Sequence, residues 1–167
     1  IVGMGAIGKA FSKRAESLKM NIVYHGPNKK KIKYKYYKNL KQMAKAIDLM
    51  VITCIGGKST KNIINKEIIS SLKKSSLIIN VSRGSVIDEE YLLYALNKKT
   101  ITGAALDVFG REPNINKKFF KLKNIILSPH NASGTMETRL KMAIMSRDNL
   151  YNFLKYSKVK NKVIIKK

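Results

Sequence analysis

Ile1-Val2-Gly3-Met4-Gly5-Ala6-Ile7-Gly8 opens the chain and decides how the rest is read. The three glycines give the spacing G-x-G-x-x-G, a weak signal alone because glycine also marks ordinary turns. Context strengthens it: two β-branched residues precede the first glycine, and Ile7, Phe11, Ala15 and Leu18 follow at helical spacing. In a turn from strand to helix, the first glycine makes the bend. The second lets backbone approach a pyrophosphate and the third lets the helix pack closely. The phosphates would rest on amide donors at the helix start. Gly3, Gly5, Ala6, Ile7 and Gly8 are therefore candidate dinucleotide contacts. Ile1 and Val2 fall short of the roughly five residues of an ordinary strand. The first strand is expected to be truncated, and the chain to be the carboxyl-terminal part of a longer protein.

Outward from the turn, apolar runs and helical patterns alternate. Strands are expected at Asn21 to Tyr24, Leu49 to Thr53, Leu77 to Val81, Gly103 to Val108 and Ile125 to Leu127. Helices are expected near Leu40 to Ala46, at Lys66 to Lys73, from Asp88 to Lys99, and from Met136 to Leu154. Asp88, Glu89 and Glu90 at the start of one helix, with Lys98 and Lys99 at its end, complement the helix dipole. Lys29 to Lys38 reads as a lysine-rich loop. Such alternation predicts an α/β fold, a doubly wound parallel sheet of the Rossmann type. The expected domain covers residues 1–154.

In the usual fingerprint an acid about 20 residues beyond the glycines accepts from the ribose hydroxyls of NAD. No Asp or Glu occurs between Glu16 and Asp48; the second strand ends instead in Tyr24-His25-Gly26-Pro27-Asn28-Lys29-Lys30-Lys31. A neutral position followed by cations would admit a ribose 2′-phosphate. NAD(P)H is the expected cofactor, NADP favoured over NAD, with Gly26, Pro27, Asn28 and Lys29 near the ribose. Background lysine explains the same cations almost as well.

The chain has 167 residues, 44% of them apolar, 8% aromatic and 26% charged, the balance of a globular domain. Its 34 Lys+Arg against 10 Asp+Glu give a net charge of +24, which raises nucleic acid as a partner. Arginine occurs only at Arg14, Arg83, Arg111, Arg139 and Arg147, and the lysines are spread through nearly every segment. That pattern reads as compositional bias, and no specific nucleic-acid contact is expected. With no long apolar run and no secretory leader pattern, neither a membrane span nor export is expected, and a cytoplasmic location is. Cys54 stands alone, which excludes an internal disulfide or a multi-cysteine zinc site. No metal site is expected.

Three further segments sit where strands end: Asn80-Val81-Ser82-Arg83-Gly84, Gly103-Ala104-Ala105-Leu106-Asp107-Val108-Phe109-Gly110-Arg111-Glu112-Pro113 and Ser128-Pro129-His130-Asn131-Ala132-Ser133-Gly134-Thr135. Ligands of open α/β sheets bind outside the carboxyl ends of strands, so all three can meet one cofactor. From Ile1 to about Leu154 the chain resembles the D-specific 2-hydroxyacid dehydrogenases, most closely the glyoxylate/hydroxypyruvate and hydroxyphenylpyruvate reductases. The resemblance implies reduction of a small 2-oxo acid by hydride transfer. Arg83 would bind the substrate, His130 would act as acid/base, and Glu112 would orient the imidazole and raise its pKa. Asp107 would hold the nicotinamide carboxamide, with Val81 and Ser82 lining the ring. Cys54, Ile55 and Thr60 would lie near the cofactor ribose and phosphates, and Arg83, His130, Ala132 and Ser133 would also border the cofactor.

Taken singly, each residue has a plainer reading: a histidine after proline faces solvent, an Arg-Gly pair makes a turn, loop carboxylates pair with lysines. Their joint order favours the enzyme. Ile55-Gly56-Gly57-Lys58 stands where the family has a proline-containing stretch, and that loop is expected to be flexible. Family members also carry a substrate domain mostly before the glycine turn, which 167 residues cannot include. The tail, Lys155 to Lys167, is expected to be a strand returning to that domain. A homodimer is expected by the same resemblance, and the isolated chain is expected to bind cofactor weakly and turn over little. The competing reading is a non-catalytic NAD-binding sensor or corepressor.

Overall fold

The structure, a computed structural model, describes residues 1–162. Contacts divide it into two compact units, the first Ile1–His130 and the second beginning at Asn131. The first unit holds six strands: β1 (Val23–His25), β2 (Lys35–Tyr37), β3 (Leu49–Ile52), β4 (Leu77–Asn80), β5 (Gly103–Leu106) and β6 (Ile125–Leu127). Every pairing is parallel: β1 with β2, then β3 with β4, β4 with β5 and β5 with β6. Val2 joins the two groups by parallel bridges to His25 and Ile52. Its amide donates to Val51 O at 2.8 Å and its carbonyl accepts from Thr53 N at 2.9 Å. The order is thus β2, β1, Val2, β3, β4, β5, β6, which places the direction change of a doubly wound sheet at the glycine turn.

Three helices cover one face of the sheet, and on the other Ile126 of β6 stays 71% exposed. Helices α2 (Leu40–Ala46), α3 (Lys66–Ser70) and α4 (Glu89–Asn97) start at Asn39, Asn65 and Asp88, whose side chains accept from Gln42 N, Ile68 N and Tyr91 N. They bury Met43, Ile69, Leu92 and Leu96 in one cluster with Met50, Ile52, Ile78, Leu106 and Phe119. A fully buried aliphatic or aromatic side chain contributes about 1.5–3 kcal/mol by its removal from water. Helix α1 (Ala6–Ser17) brings Phe11 to a separate cluster of Ile1, Met4 and Tyr24.

Several boundaries differ from the expected ones. The apolar stripe of α1 is buried only at Ala15, while Ile7 and Leu18 are 60% and 76% exposed. β1 starts two residues later than Asn21, because its register is set by Val23 O accepting from Ile1 N and by His25 N donating to Ile1 O. The expected lysine loop contains β2, in which Tyr36 packs toward the α1 cluster and Tyr37 toward the main core. Strands β3, β4 and β5 end one or two residues early, and α3 ends at Ser70.

In the second unit, Asn131 O accepts from Gly134 N at 2.9 Å, and the Thr135 hydroxyl caps α5 (Met136–Tyr156) by accepting from Thr138 N at 3.2 Å. No residue of α5 is buried, with Met136 81% and Leu154 75% exposed. The tail expected as a strand opens with the last helical residues, Lys155 and Tyr156, and residues 157–162 form no strand. The rest of that expected strand lies outside the described residues. Among the described residues no helix is long and apolar enough to cross a membrane.

Candidate active site

The glycine turn divides its labour by position. Gly3 has φ of 95°, and a Cβ there would stand 2.5 Å from the Cys54 backbone. A Cβ on Gly8 would meet Gly3 O at 2.4 Å and Thr53 Oγ1 at 3.0 Å, so only hydrogen fits. A Cβ on Gly5, by contrast, would find nothing within 4 Å. Gly5 also precedes α1 as its N-cap without any side-chain cap. Open space at the start of a helix, over backbone, is the shape that a phosphate group requires, so the residues present fit a dinucleotide pyrophosphate.

Along the carboxyl edge of the sheet, Cys54 leads from this turn to Ser82. Burial pushes the Cys54 thiol up, and the Ser82 hydroxyl beside it pulls partly back. That is a packed thiol rather than a nucleophile. Ser82 is in turn shaped by Asn80, which is 1% exposed at the end of β4. Asn80 Oδ1 accepts from Ser82 N at 3.0 Å and from Ser82 Oγ at 3.1 Å, while its Nδ2 donates to Arg83 O at 3.0 Å. The turn carrying Arg83 is therefore built around one buried amide. Arg83 Nη1 donates to Ser82 O at 2.6 Å, and a Cβ on Gly56 would lie 2.5 Å from Arg83 Cγ, so the stem of the arginine lies on the Gly56 backbone.

Gly84 continues the path. A Cβ there would fall 1.9 Å from Phe109 C and 2.2 Å from Gly110 N, so this turn touches the loop after β5 directly. That loop carries Glu112, which bonds with both oxygens. Oε1 accepts from Phe109 N at 2.8 Å, and Oε2 lies 2.7 Å from His130 Nδ1. Burial pushes the Glu112 carboxyl up, but His130, the Phe109 amide and the charge of Arg83 together outweigh it, and it sits below its ordinary value. An ionised Glu112 makes Nδ1 the protonated ring nitrogen, which directs Nε2 to other work. His130 itself has φ of 53°, and its side chain is 46% exposed. Phe109, Pro113, Ile115, Phe120, Leu127 and Pro129 line a largely apolar cavity of about 390 Å³ beside the pair.

The structure thus brings Arg83, Glu112 and His130 together and links them by contacts to Gly3. Val81, half-buried, and Asp107, 7% exposed, lie at the ends of β4 and β5, with Asp107 N donating to Asn80 O at 3.0 Å. Thr60 turns its hydroxyl inward to Ile55 O at 2.7 Å, closing the Ile55–Thr60 loop, while the Ile55 side chain is 88% exposed. Past β1, Gly26 O accepts from the Tyr36 hydroxyl and Lys30 N donates to the Tyr24 hydroxyl, leaving Pro27, Asn28 and Lys29 exposed. His25 Nδ1 is 3.0 Å from Tyr37 O, a structural tie between β1 and β2. Ala132 and Ser133 belong to the second unit, at the turn before α5. Among the described residues no group of three or more His, Cys, Asp or Glu could hold a metal.

Asn80, Gly56 and Gly84 escaped the reading of the sequence as site residues. For Asn80 a signal existed: asparagine is depleted in strands, yet it closes the run Leu77-Ile78-Ile79.

The family described as D-isomer specific 2-hydroxyacid dehydrogenase, NAD binding domain, matches residues 1–132. A hydroxyphenylpyruvate reductase of Plectranthus scutellarioides is 41% identical over 151 residues, covering 90% of this chain and 48% of that protein. A glyoxylate/hydroxypyruvate reductase of Arabidopsis thaliana is 38% identical over 151 residues, with coverage of 90% and 48%. Among solved structures, an NADPH-dependent glyoxylate/hydroxypyruvate reductase of Sinorhizobium meliloti, in complex with NADP and malonate, superposes with a TM-score of 0.94 at 35% identity, covering 97% of this chain and 52% of that one. The chain spans about half the length of the relatives it matches. With the sheet order and the matched residues in agreement, the chain belongs to the D-isomer specific 2-hydroxyacid dehydrogenase family through its NAD-binding domain.

Proposed function

We propose that this chain is the cofactor-binding half of an NAD(P)H-dependent reductase of small 2-oxo acids, of the glyoxylate or hydroxypyruvate type. The observation that carries the reading is the 2.7 Å bond between His130 and Glu112, with the charge of Arg83 acting on the same carboxylate. Reduced nicotinamide, when bound, supplies a hydride to the C2 carbonyl carbon. Arg83 holds the substrate carboxylate and polarises the ketone with a planar fork of donors. His130, doubly protonated as imidazolium, delivers the proton from Nε2 to the carbonyl oxygen, giving the 2-hydroxy acid and leaving the neutral Nδ1–H ring that Glu112 holds. Gly3, Gly5, Ala6, Ile7 and Gly8 would hold the pyrophosphate, and Cys54, Ile55, Thr60, Val81, Ser82 and Asp107 would border the remainder.

Preference for NADP over NAD is supported by the absence of acids between Glu16 and Asp48 and by exposed Asn28, Lys29, Lys30 and Lys31 beyond β1. Lys33 is already paired with Glu16 and adds little. A cytoplasmic setting fits a chain with one cysteine, and association with a second copy fits the open apolar side chains of α5.

The test is NADPH consumption with glyoxylate, hydroxypyruvate and hydroxyphenylpyruvate by the longer enzyme that includes a substrate domain, and by this chain alone. The longer enzyme is expected to turn over and this chain alone to do so little. His130→Gln is expected to lower kcat by about 10²- to 10⁴-fold, the usual contribution of a general acid, with NADPH affinity nearly unchanged. Loss of both would make His130 a structural residue, and absence of turnover with every 2-oxo acid would leave a binding module.

A further inference from the structure

Glu89 does something its position does not require. At the first residue of α4 its obvious use is to complement the helix dipole, but that end is already served. Asp88 Oδ1 accepts from Tyr91 N at 3.0 Å, and Glu90 lies in the same turn. Glu89 instead reaches out of the helix, and its Oε1 accepts from Gly110 N at 2.6 Å. Its Oε2 lies 3.1 Å from where a Cβ on Gly110 would stand, so the carboxylate rests on that glycine. The neighbouring amide, Phe109 N, donates to Glu112 Oε1 at 2.8 Å. Two carboxylates from different elements therefore take two consecutive amides of one turn. The same Phe109–Gly110 peptide is in contact with Gly84, the residue after Arg83.

We propose that Glu89 is a positioning residue for the Glu112–His130 pair, acting through the Phe109–Gly110 turn. Removing the acceptor for Gly110 N frees the turn to rotate, which withdraws Phe109 N from Glu112 Oε1. Glu112 then has one fixed bond instead of two, and Oε2 is no longer held toward His130 Nδ1. The effect runs through hydrogen-bond geometry, not charge: a second carboxylate near Glu112 is repulsive, and burial, Glu90 and Glu112 push the Glu89 carboxyl up against the Gly110 amide that favours ionisation. A neutral acceptor of the same length would hold the turn equally well.

The proposal rests on the reading of Glu112 and His130 as a working pair, but its test does not depend on turnover. Ring nitrogen shifts of His130 report which nitrogen carries the proton, and amide exchange reports Phe109 and Gly110. Both are measured on this chain as wild type, Glu89→Ala, Glu89→Asp and Glu89→Gln. The alanine variant, and the aspartate variant with its carboxylate drawn back by one methylene, are expected to expose both amides to exchange about tenfold faster and to lose the Nδ1–H tautomer as the dominant form. The glutamine variant is expected to match wild type in both readouts. Wild-type ring shifts in the alanine and aspartate variants, with faster exchange at Gly110, would reduce Glu89 to a structural clamp and overturn the proposal. So would loss of the tautomer in the glutamine variant. If the alanine variant does not fold, the aspartate and glutamine pair decides. Should the enzyme reading fail through absent NADPH turnover, the ring comparison still stands on its own.

Discussion

Glu112 is the residue on which the site converges, and its titration gives a signed expectation. Its carboxyl is held below the ordinary value in the folded chain, so its bonds stabilise the fold above the unfolded pKa of about 4.3. That contribution disappears as pH falls through the lower folded value. Because the side chain is about a third exposed, solvent screening limits the gain to about 1 kcal/mol or less. Urea unfolding of wild type and Glu112→Gln is expected to differ at neutral pH and to converge only as pH falls through that lower folded value; a constant offset over the range would assign the difference to packing. Arg83, Glu112 and His130 were legible as residues because their types are few in a chain with 10 acids and two histidines, and because local sequence marks each. Asn80, Gly84 and Glu89 were not, since their roles are contacts between segments: a buried amide under a turn, a missing Cβ against another loop, a carboxylate leaving its helix.

The glycine turn is the element whose physics separates folding from binding. A methyl group on Gly8 must displace backbone at Gly3, whereas one on Gly5 enters open space. Gly8→Ala is therefore expected to cost about 1–3 kcal/mol in chemical denaturation, as overpacking does. Gly5→Ala is expected to cost about 1 kcal/mol or less, the scale of an altered N-cap, while weakening NADPH binding by about tenfold or more, one lost close approach at a phosphate being worth roughly 1.5 kcal/mol. Equal effects of the two substitutions on both measurements would contradict this division. The main strands were legible because β3, β4 and β6 are short continuous apolar runs, the pattern of parallel strands. β2 was not: Lys33-Tyr34-Lys35-Tyr36-Tyr37 alternates, but lysine in a lysine-rich chain hid the period of two. α5 was legible as a helix, but periodicity fixes only which residues share a side, and no residue of α5 is buried.

At the scale of the molecule, the charge of +24 makes any anion binding sensitive to salt. The cations proposed to favour NADP are the exposed ones beyond β1. Replacing Lys29 and Lys30 together with alanine is expected to weaken NADPH by about tenfold, the loss of one charge-assisted bond, and to leave NADH nearly as before. Equal weakening of both cofactors would mean that the lysines act only as a general field, and tighter NADH than NADPH in the wild type would reverse the preference. The deciding experiment for the whole reading is an NADPH titration of the chain, followed by the ring nitrogens of His130 and the side-chain nitrogens of Arg83. Saturable shifts at both residues, with Ile126 on β6 unmoved, are the predicted result, because the proposed function places Arg83 and His130 beside the nicotinamide at the carboxyl edge. Saturable binding that leaves His130 and Arg83 unperturbed, or no saturable binding at all, would contradict it.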